Sequence, residues 1–78
     1  MNRQTRNEIS LIIKSINVII DKICDISSGE EEKLDSIPEN LSNCELYKNI
    51  EDAIDFMSSA VDCLEEAIEN LEACNENN

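Results

Sequence analysis

The chain has 78 residues and a formal charge of −12, and its apolar stock is almost all aliphatic, with one Phe, one Tyr and no Trp. That length supports one small domain, and one Gly with one Pro leave too little turn chemistry for a multi-stranded fold. With 18 acids against six basic residues and no His, the chain lacks the cations that grip phosphates or anionic lipid and the commonest general base.

Thr5 and Glu8 stand three apart, as in a capping box, and predict a first helix from about residue 6. Apolar residues follow at Ile9, Ile12, Ile16, Ile19, Ile23 and Ile26, alternating three and four apart, which reads as a heptad seam. Ile13 and Ile20 widen this stripe on one side, Leu11 and Val18 on the other. An arc this wide exceeds what one partner helix covers, so Leu11, Ile13, Val18 and Ile20 are expected to form a homodimer interface. Lys14, Asp21, Lys22 and Asp25 interrupt the run, which argues against a membrane span. No small-residue cleavage site follows the basic start, so a cytoplasmic location is expected.

At Ser27-Ser28-Gly29 the spacing falters. Glu30 and Lys33 take the next two seam positions, and Leu34 arrives one residue late, where a stutter would place it. Ser28 and Glu31 offer a second capping box. One reading is a kink or break at 27–29. The other is a continuous helix that tolerates Gly29 at about 1 kcal/mol. A calcium loop is excluded, because Cys24 and Ile26 would fall where carboxylates belong. Pro38 ends the first helical region near residue 36, and 37–43 reads as a connection. Ser42 and Glu45 make a third capping box, opening a second helix over about 44–74, with a disordered tail at 75–78.

In the second helix Leu46, Ile50, Ala53, Met57, Ala60, Leu64, Ala67, Leu71 and Cys74 alternate four and three. Tyr47, Ile54, Val61 and Ile68 form a flanking row. The alanines suggest a close neighbouring backbone, and a short connection makes the helices antiparallel. Ile12, Ile19 and Ile26 should then lie beside Ala67, Ala60 and Ala53, large against small. The expected fold is all-α: a single domain over 1–78, an antiparallel, coiled-coil-like hairpin that dimerises into a four-helix bundle.

Cys24, Cys44, Cys63 and Cys74 form no Cys-x-x-Cys pair and have no His beside them, so they read as packing thiols rather than a metal or redox device. No nucleophile–base pair and no Gly-rich phosphate loop is present, so neither an enzyme nor a cofactor site is expected. The one non-generic feature is acidic. Asp55, Asp62, Glu69 and Glu76 recur every seventh residue, and Glu51, Asp52, Glu65, Glu66 and Glu72 flank them. At ~1.5 Å rise per residue the stripe runs on the order of 35–40 Å. Spaced charge of this kind mimics a nucleic-acid backbone and suits the basic surface of a nucleic-acid-binding protein. The competing readings are a solvated face and an assembly adaptor whose apolar seam is the functional surface.

Glu32-Lys33-Leu34-Asp35-Ser36-Ile37-Pro38-Glu39-Asn40-Leu41, with Ala53-Ile54-Asp55 and Leu64-Glu65-Glu66-Ala67-Ile68, resembles a group of small acidic helical proteins of phages and prophages of Gram-positive bacteria. Members carry a Pro-Glu-Asn-Leu turn followed by repeats like Ala-Ile-Asp-x-Leu-Glu-Glu-Ala. The resemblance covers roughly residues 30–72, and the chain departs from it at Ser27-Ser28-Gly29 and in its four cysteines. It implies a mobile-element setting in a bacterial host, and an inhibitor of host nucleic-acid-binding or defence machinery. No residue role carries over from it.

Overall fold

The computed structural model describes residues 1–41 and 44–76. Helix α1 spans Arg3–Asp35 and helix α2 spans Glu45–Glu76, joined through a 3-10 turn at Glu39–Leu41. The two pack along each other as an antiparallel hairpin whose Cα trace measures 59 × 15 × 13 Å. No strand occurs among the described residues. The all-α hairpin anticipated from the heptads is therefore the fold.

Helix α1 starts earlier than the sequence expectation. Asn2 rather than Thr5 caps α1, its Oδ1 accepting the Thr5 N–H at 2.8 Å. Asn is a strong N-cap and Thr5 is left inside the first turn. Helix α1 then runs unbroken through Ser27-Ser28-Gly29, so the second capping box is not used. Ser36 closes the helix: its N–H donates to Glu32 O and its Oγ donates to the same carbonyl at 3.0 Å. Pro38 follows two residues on, where it cannot continue a helix. Helix α2 opens at Cys44, whose Sγ accepts the Tyr47 N–H at 3.4 Å. The expected cap at Ser42 lies outside the described residues, as do Asn77 and Asn78 of the expected tail, while Asn75 and Glu76 are helical.

The seam itself is rotated by one heptad row from the sequence reading. On α1 the half-buried residues include Ile9, Ile16, Ile23 and Glu30 in one row, and Ile13, Ile20, Ser27 and Leu34 in the other, with Thr5, Arg6 and Gly29 half-buried outside this run. Ile12, Ile19 and Ile26 are exposed. On α2 the Ile50, Met57, Leu64, Leu71 row stays inside, but its companion row is Tyr47, Ile54, Val61 and Ile68. Of the expected companion row Leu46, Ala60 and Cys74 are exposed, while Ala53 and Ala67 are half-buried at its edge. The reason is burial: an isoleucine or valine withdrawn from water stabilises by roughly 1.5–3 kcal/mol, far more than an alanine. With this seam the spacing 9, 13, 16, 20, 23, 27, 30, 34 alternates four and three without a fault. Leu34 is in register, no stutter is needed, and the helix has no cause to break. Ile13 and Ile20 therefore pack against α2 and do not stand on an outer face.

Two helices alone make little interior. Among the described residues only Ile50 is buried outright, at 8% exposure. The open end is tied by Asn75, whose Nδ2 donates to Arg6 O at 3.3 Å and Ser10 Oγ at 3.2 Å.

Candidate functional site

An antiparallel seam leaves two flanks, and equivalent heptad rows of the two helices share a flank. One is formed by the row following each Ile9-type and Ile50-type position. Shallow clefts run along it. One is lined by Ser10, Lys14 and Glu72 with Asn75 and Glu76. Asn17, Glu65, Glu69 and Glu72 line another. Two more are lined by Cys24, Glu31, Asp55 and Ser58, and by Glu31, Glu51 and Asp55. The facing pairs are Ser10 with Glu72, Asn17 with Glu65, Cys24 with Ser58 and Glu31 with Glu51. They follow one antiparallel register, and the clefts succeed one another along this flank as a discontinuous groove.

All nine acids singled out in the sequence are exposed, but the fold sorts them. Glu51, Glu65 and Glu72 stand on the groove's edge, and Asp55 and Glu69 line clefts from the next row round. Asp62 belongs to that same row. Asp52 and Glu66 fall one row further, on the back of α2 away from α1. The fold also adds Glu31, from the opposite helix, which no single-helix pattern reveals; only the hairpin register brings it to Glu51. Cations stand at the ends: Lys48 begins the Asp55 row beside the turn, and Lys14 borders the cleft at the open end. Between Lys48 and Glu76, α2 carries no basic residue. Among the described residues the ion pair from Lys33 Nζ to Glu30 Oε1, at 3.0 Å, belongs to α1 and involves none of the groove acids.

No protein family model, curated protein or solved structure matches the chain. Its chemistry is therefore read from its own side chains. Among the described residues no group of three His, Cys, Asp or Glu is placed to hold a metal ion. The four cysteines form no disulfide; Cys24, Cys63 and Cys74 are exposed and Cys44 is half-buried. Among the described residues no helix is long and apolar enough to cross a membrane. What the arrangement offers is an acidic flank of shallow clefts along a two-helix rod.

The second flank is formed by the row preceding each Ile13-type and Ile54-type position. Ile12, Ile19 and Ile26 lie there beside Leu46, Ala53, Ala60, Ala67 and Cys74, and none of the four clefts falls on it. Leu11 and Val18 are exposed further round, on the back of α1. The dimer residues expected from the sequence are thus divided: Ile13 and Ile20 on the seam, Leu11 and Val18 on the back.

Proposed function

We propose that this is a non-enzymatic interaction protein, encoded by a phage or other mobile element. In the cytoplasm of a bacterial host it binds and inhibits a basic protein, of the nucleic-acid-binding or defence kind, through the acidic groove. The observation that carries this reading is the concentration of carboxylates from both helices along one groove, Glu31 with Glu51, Asp55, Glu65, Glu69 and Glu72, with cations only towards its ends. Like charges so placed cost helix stability, and a face that only needed to be wet would be served as well by mixed signs. A rigid helix holds the carboxylates in line, so few degrees of freedom are lost when a partner arrives. Their summed field speeds encounter with a positive surface. Nucleic acid itself and anionic membranes are poor partners for such a face.

The test is affinity capture from a bacterial lysate, read by mass spectrometry. The chain should retain a basic protein at low salt. Asp55→Lys, Asp62→Lys and Glu69→Lys together should abolish retention while the helical spectrum survives. Any one alone should only weaken it, because an exposed charge pair contributes at most ~1 kcal/mol. Normal retention by the triple variant overturns the proposal. The rival reading, an assembly adaptor, draws on the exposed isoleucines of the second flank. Capture that resists salt would favour it.

A further inference from the structure

We infer that the second flank is the contact surface for another copy of this chain. Two hairpins pair there about a twofold axis parallel to the rod, so that the isoleucine row of each lies in the alanine row of the other.

The area comes first. A compact monomer of 8.8 kDa exposes about 4,800 Å² by the usual scaling with mass. This chain exposes 5889 Å². The excess of about 1,100 Å² matches what one partner buries in a stable interface, of order 800 Å² or more. The isolated hairpin thus carries one interface's worth of surface too much.

The shape of the flank selects the occupant. Ile12, Ile19 and Ile26 form a ridge on α1, and Ala53, Ala60 and Ala67 form a trough on α2. A twofold contact must be self-complementary. With the axis along the rod, α1 of one copy lies antiparallel to α2 of the other, at the same levels as within the hairpin. Ile19 then falls between Ala60 and Ala67 of the second copy. Ridge enters trough twice, and large meets small throughout. Turning the axis across the rod would set ridge against ridge and trough against trough. Charge agrees: on α2 this row and the next one outward, Asn49, Phe56, Cys63 and Asn70, contain no charged residue. The acidic groove remains on the far side of each hairpin.

Two residues unexplained within one chain fall into place. Phe56 is 76% exposed, and Gly29 sits inside α1 with nothing within 4 Å of where a Cβ would stand. Nothing in the hairpin calls for a glycine there. In the dimer the row of Phe56 borders the row of Gly29 of the other copy. The Phe side chain leans toward its own N-terminus, which brings the ring level with that glycine. The absent Cβ makes room for it.

Sedimentation equilibrium reads the outcome. The parent chain at about 50 µM should show twice 8.8 kDa. Ile19→Lys and Ala60→Glu should each give the single-chain mass, and an equimolar mixture of the two should restore the double mass as a heterodimer. That recovery excludes simple misfolding. Gly29→Leu should keep or raise helicity, since leucine favours helix, yet weaken association about tenfold or more. A single-chain mass for the parent overturns the inference. So does full assembly of Gly29→Leu, or loss of assembly in Leu11→Lys with Val18→Lys but not in Ile19→Lys, which would move the contact to the back of α1.

Discussion

The two flanks of this hairpin are built on one seam and differ in nearly everything else. The groove flank sets Ser10, Asn17, Cys24 and Glu31 against Glu51, Ser58, Glu65 and Glu72, so small polar groups and like charges leave gaps between the helices. Across the seam, isoleucines of α1 share a flank with alanines of α2. On α2 the step from one flank to the other is two residues, from Glu51 to Ala53, or from Glu65 to Ala67. The heptad therefore encodes two surfaces independently, because its seven rows point in seven directions and the seam uses only two. Neither flank is needed to hold the hairpin together in the way the seam is.

That difference gives the largest expected effect. Ile20→Lys places a charge in the seam, whose one buried residue among those described is Ile50. It should cost several kcal/mol, as unpaired buried charge does, and abolish most of the helical circular dichroism. Leu11→Lys, on the back of α1, should change stability by no more than about 0.5 kcal/mol. Equal melting curves for the two would break the distinction between seam and surface.

Salt sharpens the contrast between the flanks. Each chain carries −12, so two copies repel, and screening relieves that repulsion: the Debye length falls from about 30 Å at 0.01 M to about 8 Å at 0.15 M. Self-association should strengthen as salt rises over that range, while capture of a basic partner should weaken. Light scattering and affinity capture across one salt series measure both. Parallel trends would mean that a single surface serves both contacts.

Helix type, helix number, antiparallel order and the row Ile50, Met57, Leu64, Leu71 were all legible in the spacing of apolar residues. The second seam row was not. On α1 the rows Ile12, Ile19, Ile26 and Ile13, Ile20 are locally indistinguishable, since isoleucine occupies both sides of Ile16. The deciding information lay further off: Leu34 continues one row where Lys33 continues the other. On α2 the row Tyr47, Ile54, Val61, Ile68 offers more apolar area than the alanines beside it. Weighing area over the whole helix, rather than reading small residues as close approach, would have chosen the observed seam. It would also have removed the apparent fault at Ser27-Ser28-Gly29. Of the site, the acids of α2 were legible as rows, but their meeting with Glu31 was not, because that depends on the register between helices.

The smallest expected effect concerns where α2 begins. Cys44 Sγ stands in the N-cap position and accepts the Tyr47 N–H at 3.4 Å. A thiol is a weak acceptor, whereas Ser, of the same shape, is among the preferred caps. The Cys44 N–H donates to Leu41 O at 3.0 Å and its carbonyl accepts from Lys48 N–H at 3.2 Å. Both are backbone bonds that a side-chain change leaves alone. Cys44→Ser should therefore stabilise the hairpin by about 0.5 kcal/mol and Cys44→Ala destabilise it by a similar amount, within the usual span of cap substitutions. Because Cys44 lies at the turn, remote from Ile19 and Ala60, neither change should move the association constant measured at equal folded fraction. A thermal melt followed by circular dichroism resolves the pair. If serine and alanine melt alike, the sulfur is not acting as a cap, and α2 is held at that end by the backbone bonds of the turn alone.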